Sequence, residues 1–250
     1  MAPGIRSGEE PVVYLYGITR ISREIPAIAG VDDRSPIETL TCAGLICWIS
    51  RVSRTEFADN LPKNIENLDW LAGMSVRHQR AVSAIAEAAD ILPARFGTVF
   101  LSDASLCDDV KSRKTELTAD FKRIAGSEEW GVKVFALTPP TQLPGPLRSG
   151  KDYLQAKSSL LHKQSRKEPD EEIVGFAEEL KALAVATADG GSIGGGRRDL
   201  QYQTSLLLKK SDRKKLQVLL ERFAKKWKQA RSIECSGPWP PYSFVSRSIQ

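Results

Sequence analysis

The stretch PVVYLYGITRI, from Pro11 to Ile21, decides the architecture of this 250-residue chain. Its β-branched and aromatic residues alternate between two faces that are both apolar, which predicts a central strand covered on both sides. GLICWISRV, from Gly44 to Val52, has the same character and predicts a second strand. Residues 22–43 between them carry turn formers and prolines, which predict a connecting loop.

Beyond the second strand the apolar spacing changes to that of a helix. Between Asn67 and Ala89 apolar residues recur every three or four positions, and Pro93 bars the helix from continuing. A strand, a helix with Ser102 as N-cap and a further strand follow, at Ala94–Phe100, Ser102–Gly126 and Trp130–Thr138. This order resembles a modified ferredoxin-like sheet with its helices on one face, so the predicted fold class is α+β.

The proline-rich stretch from Pro139 to Pro146 marks a domain boundary. Beyond it the patterns predict a smaller α+β domain with helices at Lys151–Lys167 and Glu171–Ala186, a loop GGSIGGGRR, a strand at Leu200–Lys210, a helix at Asp212–Gln229 capped by Ser211, and a short strand SIEC. We therefore predict five segments: a flexible N-terminus (1–11), an N-terminal domain (12–138), a linker (139–150), a C-terminal domain (151–235) and a proline and aromatic tail (236–250).

The composition narrows the class of protein. With 41% hydrophobic residues the chain can bury a substantial core, which excludes global disorder. No run approaches the roughly 18 apolar residues of a membrane-spanning helix, and MAPGIRSGEE lacks the apolar centre of a signal peptide. We therefore expect a cytoplasmic protein with no membrane partner.

The cysteines and histidines predict no metal or redox site. There is no CxxC pair and no metal-finger spacing among Cys42, Cys47, Cys107, Cys235, His78 and His162. Cys42 and Cys47 are near enough in sequence to meet, but Cys47 lies in a predicted strand and is better explained as a small buried residue. We expect neither a metal nor a cofactor.

Two features suggest chemistry, and both have a simpler explanation. GGSIGGGRR lacks the Lys-Ser/Thr ending of a P-loop and the last glycine of a GxGxxG motif, so a plain loop is favoured. His78 falls on the buried stripe of its helix, where a hydrogen-bonded core histidine is favoured over a general base without an identifiable partner. We expect no catalytic residue and no small-molecule substrate.

The second half of the chain is basic. Residues 151–250 hold 19 lysines and arginines against 12 acidic residues. Ten of the cations could form a nucleic-acid patch: Arg197, Arg198, Lys209, Lys210, Arg213, Lys214, Lys215, Lys225, Lys226 and Lys228. A solvated helix face is favoured, because acidic residues are mixed in and no RNA-recognition motif is present.

Arg95 is a permanent charge within a predicted strand. Such a residue must reach solvent, pair with a carboxylate or bind an anion. Gly97 leaves space beside it, and Glu87 or Glu129 could supply the carboxylate. We favour a structural ion pair over an anion site.

The chain ends in CSGPWPPYSFV, from Cys235 to Val245, which is unusually apolar and stiff for a terminus. Its three prolines reduce the entropy lost on docking, and its three aromatic residues supply large apolar areas. A strap that packs on the protein's own sheets is favoured, since permanent exposure would leave a sticky patch. A partner-binding surface is the alternative.

Six stretches occur together in a fixed order: VYLYGI, LDWLAGMSVRHQRAV, ILPARFGTVF, EEWGVKVFAL, DYLQAK and SGPWPPYSFV. In this the chain resembles the gas vesicle protein F/L family. Ala94 and Gln79 depart from the pattern, which commonly has a larger aliphatic residue and an acidic residue there. The resemblance implies structural or partner-binding roles for the family-signature residues His78, Pro93, Arg95, Phe96, Gly97, Thr98, Gly237, Pro238, Trp239, Pro240, Pro241, Tyr242 and Phe244.

The resemblance also implies a function. Proteins of this kind are expected to be non-enzymatic accessory or minor structural proteins that help gas vesicles to assemble by binding the small apolar shell protein or other accessory proteins. A basic α+β module that binds nucleic acid is the alternative from the charge distribution.

Overall fold

The computed structural model describes residues 10–137, 170–189 and 199–246. The chain divides into two compact units: the first comprises residues 1–129 and 238–250, and the second comprises residues 130–237. Each contains helices and its own sheet, which confirms the predicted α+β class. The predictions for residues 139–150, Lys151–Lys167 and GGSIGGGRR lie outside the described residues.

The sheet of the first unit is built around a fully buried strand. Its order is β2-β3-β1-β4, and a short strand β5 also pairs with β1. The bounds are β1 Val12–Thr19, β2 Glu38–Cys42, β3 Leu45–Val52, β4 Ile91–Pro93 and β5 Val99–Phe100. All eight residues of β1 are buried, because neighbouring strands pair with it on both edges and apolar residues line both of its faces. The predicted central strand is confirmed.

The predicted loop over residues 22–43 is wrong at its end. Residues 38–42 form β2, which pairs antiparallel with β3 through a two-residue turn. The turn residues, Ala43 and Gly44, both have positive φ, as such hairpin turns require. Ala-Gly is a weaker sequence indication of this turn than Asn-Gly, so the hairpin was not predicted.

The described part of the first unit, residues 10–129 and 238–246, contains four helices. They are α1 Leu61–Asn64, α2 Leu68–Ala88, α3 Asp103–Ser112 and α4 Lys114–Ile124, and a π-helical turn at Thr55–Asp59 precedes them. Asn67 caps α2 through its side chain, and Ser102 caps α3 as predicted. The single helix predicted over 102–126 is two helices, because Arg113 leaves the helical conformation with φ −97° and ψ 9°.

The described residues of the second unit form a sheet with the order β7-β8-β6-β9 and two helices. The elements are β6 Ser127–Ala136, α5 Glu171–Leu183, β7 Ala186–Asp189, β8 Leu200–Lys209, α6 Arg213–Trp227 and β9 Arg231–Trp239. The apolar faces of α5 and α6 pack with the sheet around Phe176, Leu206 and Phe223. No described helix is long and apolar enough to cross a membrane.

Three expectations for this region are corrected. The strand predicted at Trp130–Thr138 was assigned to the first sheet, but β6 lies in the second sheet, where Val132 and Val134 join the core. Ser211 does not cap α6: a 3₁₀ turn precedes the helix, and Asp212 is its N-cap residue without a side-chain hydrogen bond. The short strand SIEC is longer, since β9 runs to Trp239.

A disulfide joins β2 to α3. It connects Cys42 to Cys107, whose Cα atoms are 4.8 Å apart, so Cys42 does not meet Cys47, the pairing that the sequence disfavoured. Cys47 is fully buried as predicted, and burial raises the pKa of its thiol to about 12. Cys235 is exposed and free. The pairing could not be predicted because β2 and its hairpin were not.

Replacing Cys42 and Cys107 together by serine should destabilise the first unit. The disulfide spans 65 residues of sequence, so its loss should reduce the free energy of unfolding by about 2–4 kcal/mol. Urea denaturation of the double variant against the oxidised protein measures the change. Cys235→Ser, which removes a free thiol, is the control. Equal unfolding free energies for the double variant and the oxidised protein would show that the two cysteines are not joined.

Candidate functional site

His78 is the centre of a buried polar network in the first unit. It lies on the buried face of α2 and is 3% exposed. Its Nδ1 is 2.9 Å from the hydroxyl of Tyr14, and its ring stacks on Tyr16 with centroids 6.0 Å apart. Because both tyrosines come from β1, the helix and the central strand are joined here by hydrogen bonding and ring contact.

The second part of the network is the turn between β4 and β5. The strand predicted at Ala94–Phe100 is confirmed only at Val99–Phe100, because residues 94–98 form the turn. Thr98 N and Oγ1 both donate to the carbonyl of Arg95, and Gly97 has φ 82°. This conformation suits glycine and directs the Gly97 N–H to the Tyr14 hydroxyl, 3.2 Å away. Phe96 places its ring edge-on to His78 at 5.9 Å.

One arrangement uses the Tyr14 hydroxyl as both acceptor and donor. In it the oxygen accepts from Gly97 N, the hydroxyl donates to His78 Nδ1, and the imidazole proton lies on Nε2. Nε2 lies 3.4 Å from the Tyr242 hydroxyl, a long hydrogen bond. That hydroxyl donates to Gln79 Oε1 at 3.3 Å. The Gln79 carboxamide thus supplies the oxygen acceptor for this hydroxyl.

The histidine and the tyrosines of this network are neutral at pH 7, and burial favours that state. Burial lowers the pKa of His78 to about 4 and raises the pKa of Tyr16 to about 12. Burial also raises the pKa values of Tyr14 and Tyr242 above their ordinary value. Such groups hold elements together, and they are poorly suited to exchange protons with a substrate near neutral pH.

The C-terminal segment, Pro238–Ser246, closes over this network. Pro240 and Pro241 are buried, residues Tyr242–Phe244 form a 3₁₀ turn, and Phe244 is 5% exposed. Tyr242 packs against the core that contains Tyr14, Tyr16 and Ile85. The contacts therefore favour the interpretation of the tail as an internal strap.

Two buried carboxylates hold the C-terminal segment. Glu129 accepts from Ser243 N at 2.8 Å and from Ser243 Oγ at 2.6 Å. Asp120 accepts from Ser246 N at 2.7 Å and from Ser246 Oγ at 3.0 Å. Asp120 is 1% and Glu129 8% exposed, so these bonds satisfy acceptors that would otherwise be costly to bury.

The structure brings only some of the family-signature residues together. Pro93 ends β4, and Phe96, Gly97 and Thr98 follow in the turn. Phe96 contacts the ring of His78, whose Nε2 is 3.4 Å from the Tyr242 hydroxyl. Trp239 is 44% exposed, Pro238 is exposed, and Gly237 belongs to the second unit.

Arg95 does not form the expected ion pair. It lies in the turn and is exposed, and within residues 10–137, 170–189 and 199–246 no ion pair joins it to a carboxylate. Glu129, one of its two expected partners, accepts from Ser243 instead. The expectation of a pair was wrong because a charge in an exposed turn reaches solvent directly.

Four residues of the network were not singled out from the sequence: Tyr14, Asp120, Ser243 and Ser246. Glu129 was named only as a possible partner of Arg95. Tyr14 could have been singled out, because a tyrosine in a strand buried on both faces must find a hydrogen-bond partner. Nothing in the sequence around Asp120 and Glu129 indicates that their carboxylates are buried and bonded to serines. Their serine partners lie more than 100 residues away in the sequence.

The chain is similar to known proteins in both sequence and fold. The family model described as gas vesicle synthesis protein GvpL/GvpF matches residues 12–246, nearly the whole chain. The chain belongs to the GvpL/GvpF family. The gas vesicle protein L of Streptomyces sp. (strain CB03234) is 25% identical, and the match covers 93% of this chain and 92% of that protein.

Two crystal structures in the GvpL/GvpF family share the fold. The GvpF structure from Anabaena sp. PCC7120 matches with a TM-score of 0.70 at 20% identity, covering 96% of this chain and all of that one. The GvpF structure from Microcystis aeruginosa matches with a TM-score of 0.67 at 17% identity and covers 94% of this chain and 99% of that chain. The relatives carry both the F and the L designation.

The neutral state of His78 predicts a pH-dependent stability. Because its pKa is about 4 in the fold and 6.5 ordinarily, the unfolded chain binds a proton first as the pH falls. The stability that His78 contributes is therefore complete above pH 6.5 and decreases toward pH 4, by about 2 kcal/mol between pH 7 and pH 5. Urea denaturation at both pH values measures this.

Two variants isolate the contribution of this residue. His78→Gln should lose that part of the pH dependence, whereas His162→Gln, which removes the only other histidine in the sequence, should keep it. An equal pH dependence in wild type and His78→Gln would contradict the assignment.

The strap also predicts a graded effect of substitutions in the tail. Tyr242→Ala should lower the free energy of unfolding by about 2–4 kcal/mol, since it removes a ring packed on the core, and Tyr242→Phe by about 1 kcal/mol. The exposed Trp239 is the matched aromatic control, and Trp239→Ala should cost less than Tyr242→Ala. If both alanine variants unfold like wild type, the segment does not stabilise the fold.

Proposed function

We propose that this protein is a non-enzymatic accessory or minor structural protein that assists gas vesicle assembly, and thereby buoyancy. In this proposal it binds the small apolar shell protein or other accessory proteins, in the cytoplasm and at the vesicle. The observation that carries the proposal is the match of nearly the whole chain to the gas vesicle synthesis family.

The apolar surface of the unassembled shell protein is the reason to expect a binding partner of this kind. A shell subunit that will wall off gas exposes apolar surface before it assembles, so a protein that assists it needs complementary apolar or edge-strand surface. The first sheet has β2 at one edge of its strand order, and the second has β7 and β9 at its edges. Large apolar side chains more than 40% exposed include Ile21, Leu68, Val76, Leu101, Val218 and Trp239.

The site itself supports binding over catalysis. The buried histidine and tyrosines are neutral near pH 7, and their hydrogen bonds are directed at one another and at the backbone. Within the residues that the structure describes, no group of three metal-binding side chains is present.

Co-expression with the shell protein tests the proposal. We expect the shell protein to co-purify with the tagged chain and to stay in the supernatant, and the association to persist at high salt because apolar contacts carry it. An unrelated tagged protein of similar net charge is the control. If the shell protein pellets equally with either protein, direct shell binding is wrong. If a salt-sensitive complex with nucleic acid forms instead, the alternative function gains support.

A further inference from the structure

The second unit carries an apolar groove between α5 and α6. Residues of α5 and α6 enclose a cavity of about 430 Å³ that is open to solvent, lined by Glu179, Leu183, Lys214, Lys215, Val218, Leu219 and Arg222. On α6 these residues recur every three or four positions, so they share one face of the helix. Val218 is 65% exposed, although its neighbour Leu219 is buried.

The rim of this groove is basic. Three cations line it against one carboxylate, Glu179, and Arg222 already pairs with that carboxylate. Lys215 pairs with Asp212 at 2.8 Å, whereas no ion pair joins Lys214 to another described residue. The whole of α6 carries six cations and one acidic residue. An apolar floor under a positive rim complements an occupant that is apolar on one side and acidic on its flanks.

We propose that this groove binds an amphipathic helix of a partner protein, with the apolar side on Val218 and Leu183 and acidic residues against the lysines. This mode is known for apolar grooves between helices, where anchors at i, i+3, i+4 and i+7 fill the floor. On α6 the lining residues run from Lys214 to Arg222, about 12 Å of helix, which is enough to contact about two turns of a partner helix. That the partner is a gas vesicle protein rests on the proposed function. That it presents an apolar helix face with acidic flanks follows from the groove itself.

The chemistry is tested with a defined probe. A fluorescein-labelled peptide of about 15 residues, with leucine at i, i+3, i+4 and i+7 and glutamate on the flanks, is titrated with the full chain by fluorescence anisotropy. The same peptide with lysine in place of glutamate is the control ligand. We expect the acidic peptide to bind at least about tenfold more tightly than the basic one.

Substitutions locate the site. Val218→Asp and Val218→Lys should both weaken binding about tenfold, because both remove the apolar contact while changing the charge in opposite directions. Val174→Asp is the matched control on α5, since Val174 is 41% exposed and does not line the groove. Lys214→Glu should weaken binding more than Lys225→Glu, which changes the net charge equally on the same helix but outside the groove.

The inference is wrong if the acidic peptide does not bind, or if Val218→Asp and Val174→Asp bind it equally. Tighter binding by Val218→Lys would also overturn it, because the attraction would then be due to charge only. A melting temperature lowered by Val218→Asp alone would show that the chain's own residues cover the groove. Capture of the shell protein in parallel separates the two proposals. Groove-dependent peptide binding without shell capture would support the groove and contradict direct shell binding.

Discussion

The hydrogen bond between Tyr14 and His78 is the constraint on which the first unit depends. β1 is buried on both faces and carries two tyrosines, so both hydroxyls need hydrogen-bond partners from other elements. A buried hydroxyl without a partner would lower the free energy of unfolding. Tyr14 finds His78 and the Gly97 N–H, and Tyr16 accepts from Val31 N at 2.8 Å and donates to Ser50 Oγ at 2.9 Å. Each partner comes from a different part of the first unit. The hydrogen bonds of two tyrosines in β1 therefore help to position several segments around that strand.

The same constraint explains why the end of the chain belongs to the first unit. Tyr242 lies at the second nitrogen of His78, and serines of the C-terminal segment satisfy Glu129 and Asp120. The proline and aromatic motif that is unusual for a terminus is therefore a structural part of this core. Partner binding is more reasonably sought on exposed apolar surface, such as the groove beside Val218, than in the neutral, enclosed network.

The sequence predicted those elements whose side chains repeat regularly: β1, β3, α2 and α6 follow from apolar periodicity, and Ser102 from its capping preference. It also predicted a buried His78. It did not predict β2, the disulfide of Cys42 with Cys107, the membership of β6 in the second sheet, or the pairing of carboxylates with serines. These features depend on contacts between distant segments, which a single sequence does not encode as a local pattern.

Hydrogen exchange of individual backbone amides tests the central claim, that the C-terminal segment is part of the core around His78. The amides of Ser243 and Ser246, which donate to Glu129 and Asp120, should exchange as slowly as the amide of Leu15 in β1, through opening of the whole first unit. Exchange of the two serine amides that is orders of magnitude faster than that of Leu15 would contradict the account, because it would show a frayed end lying on an independently stable core.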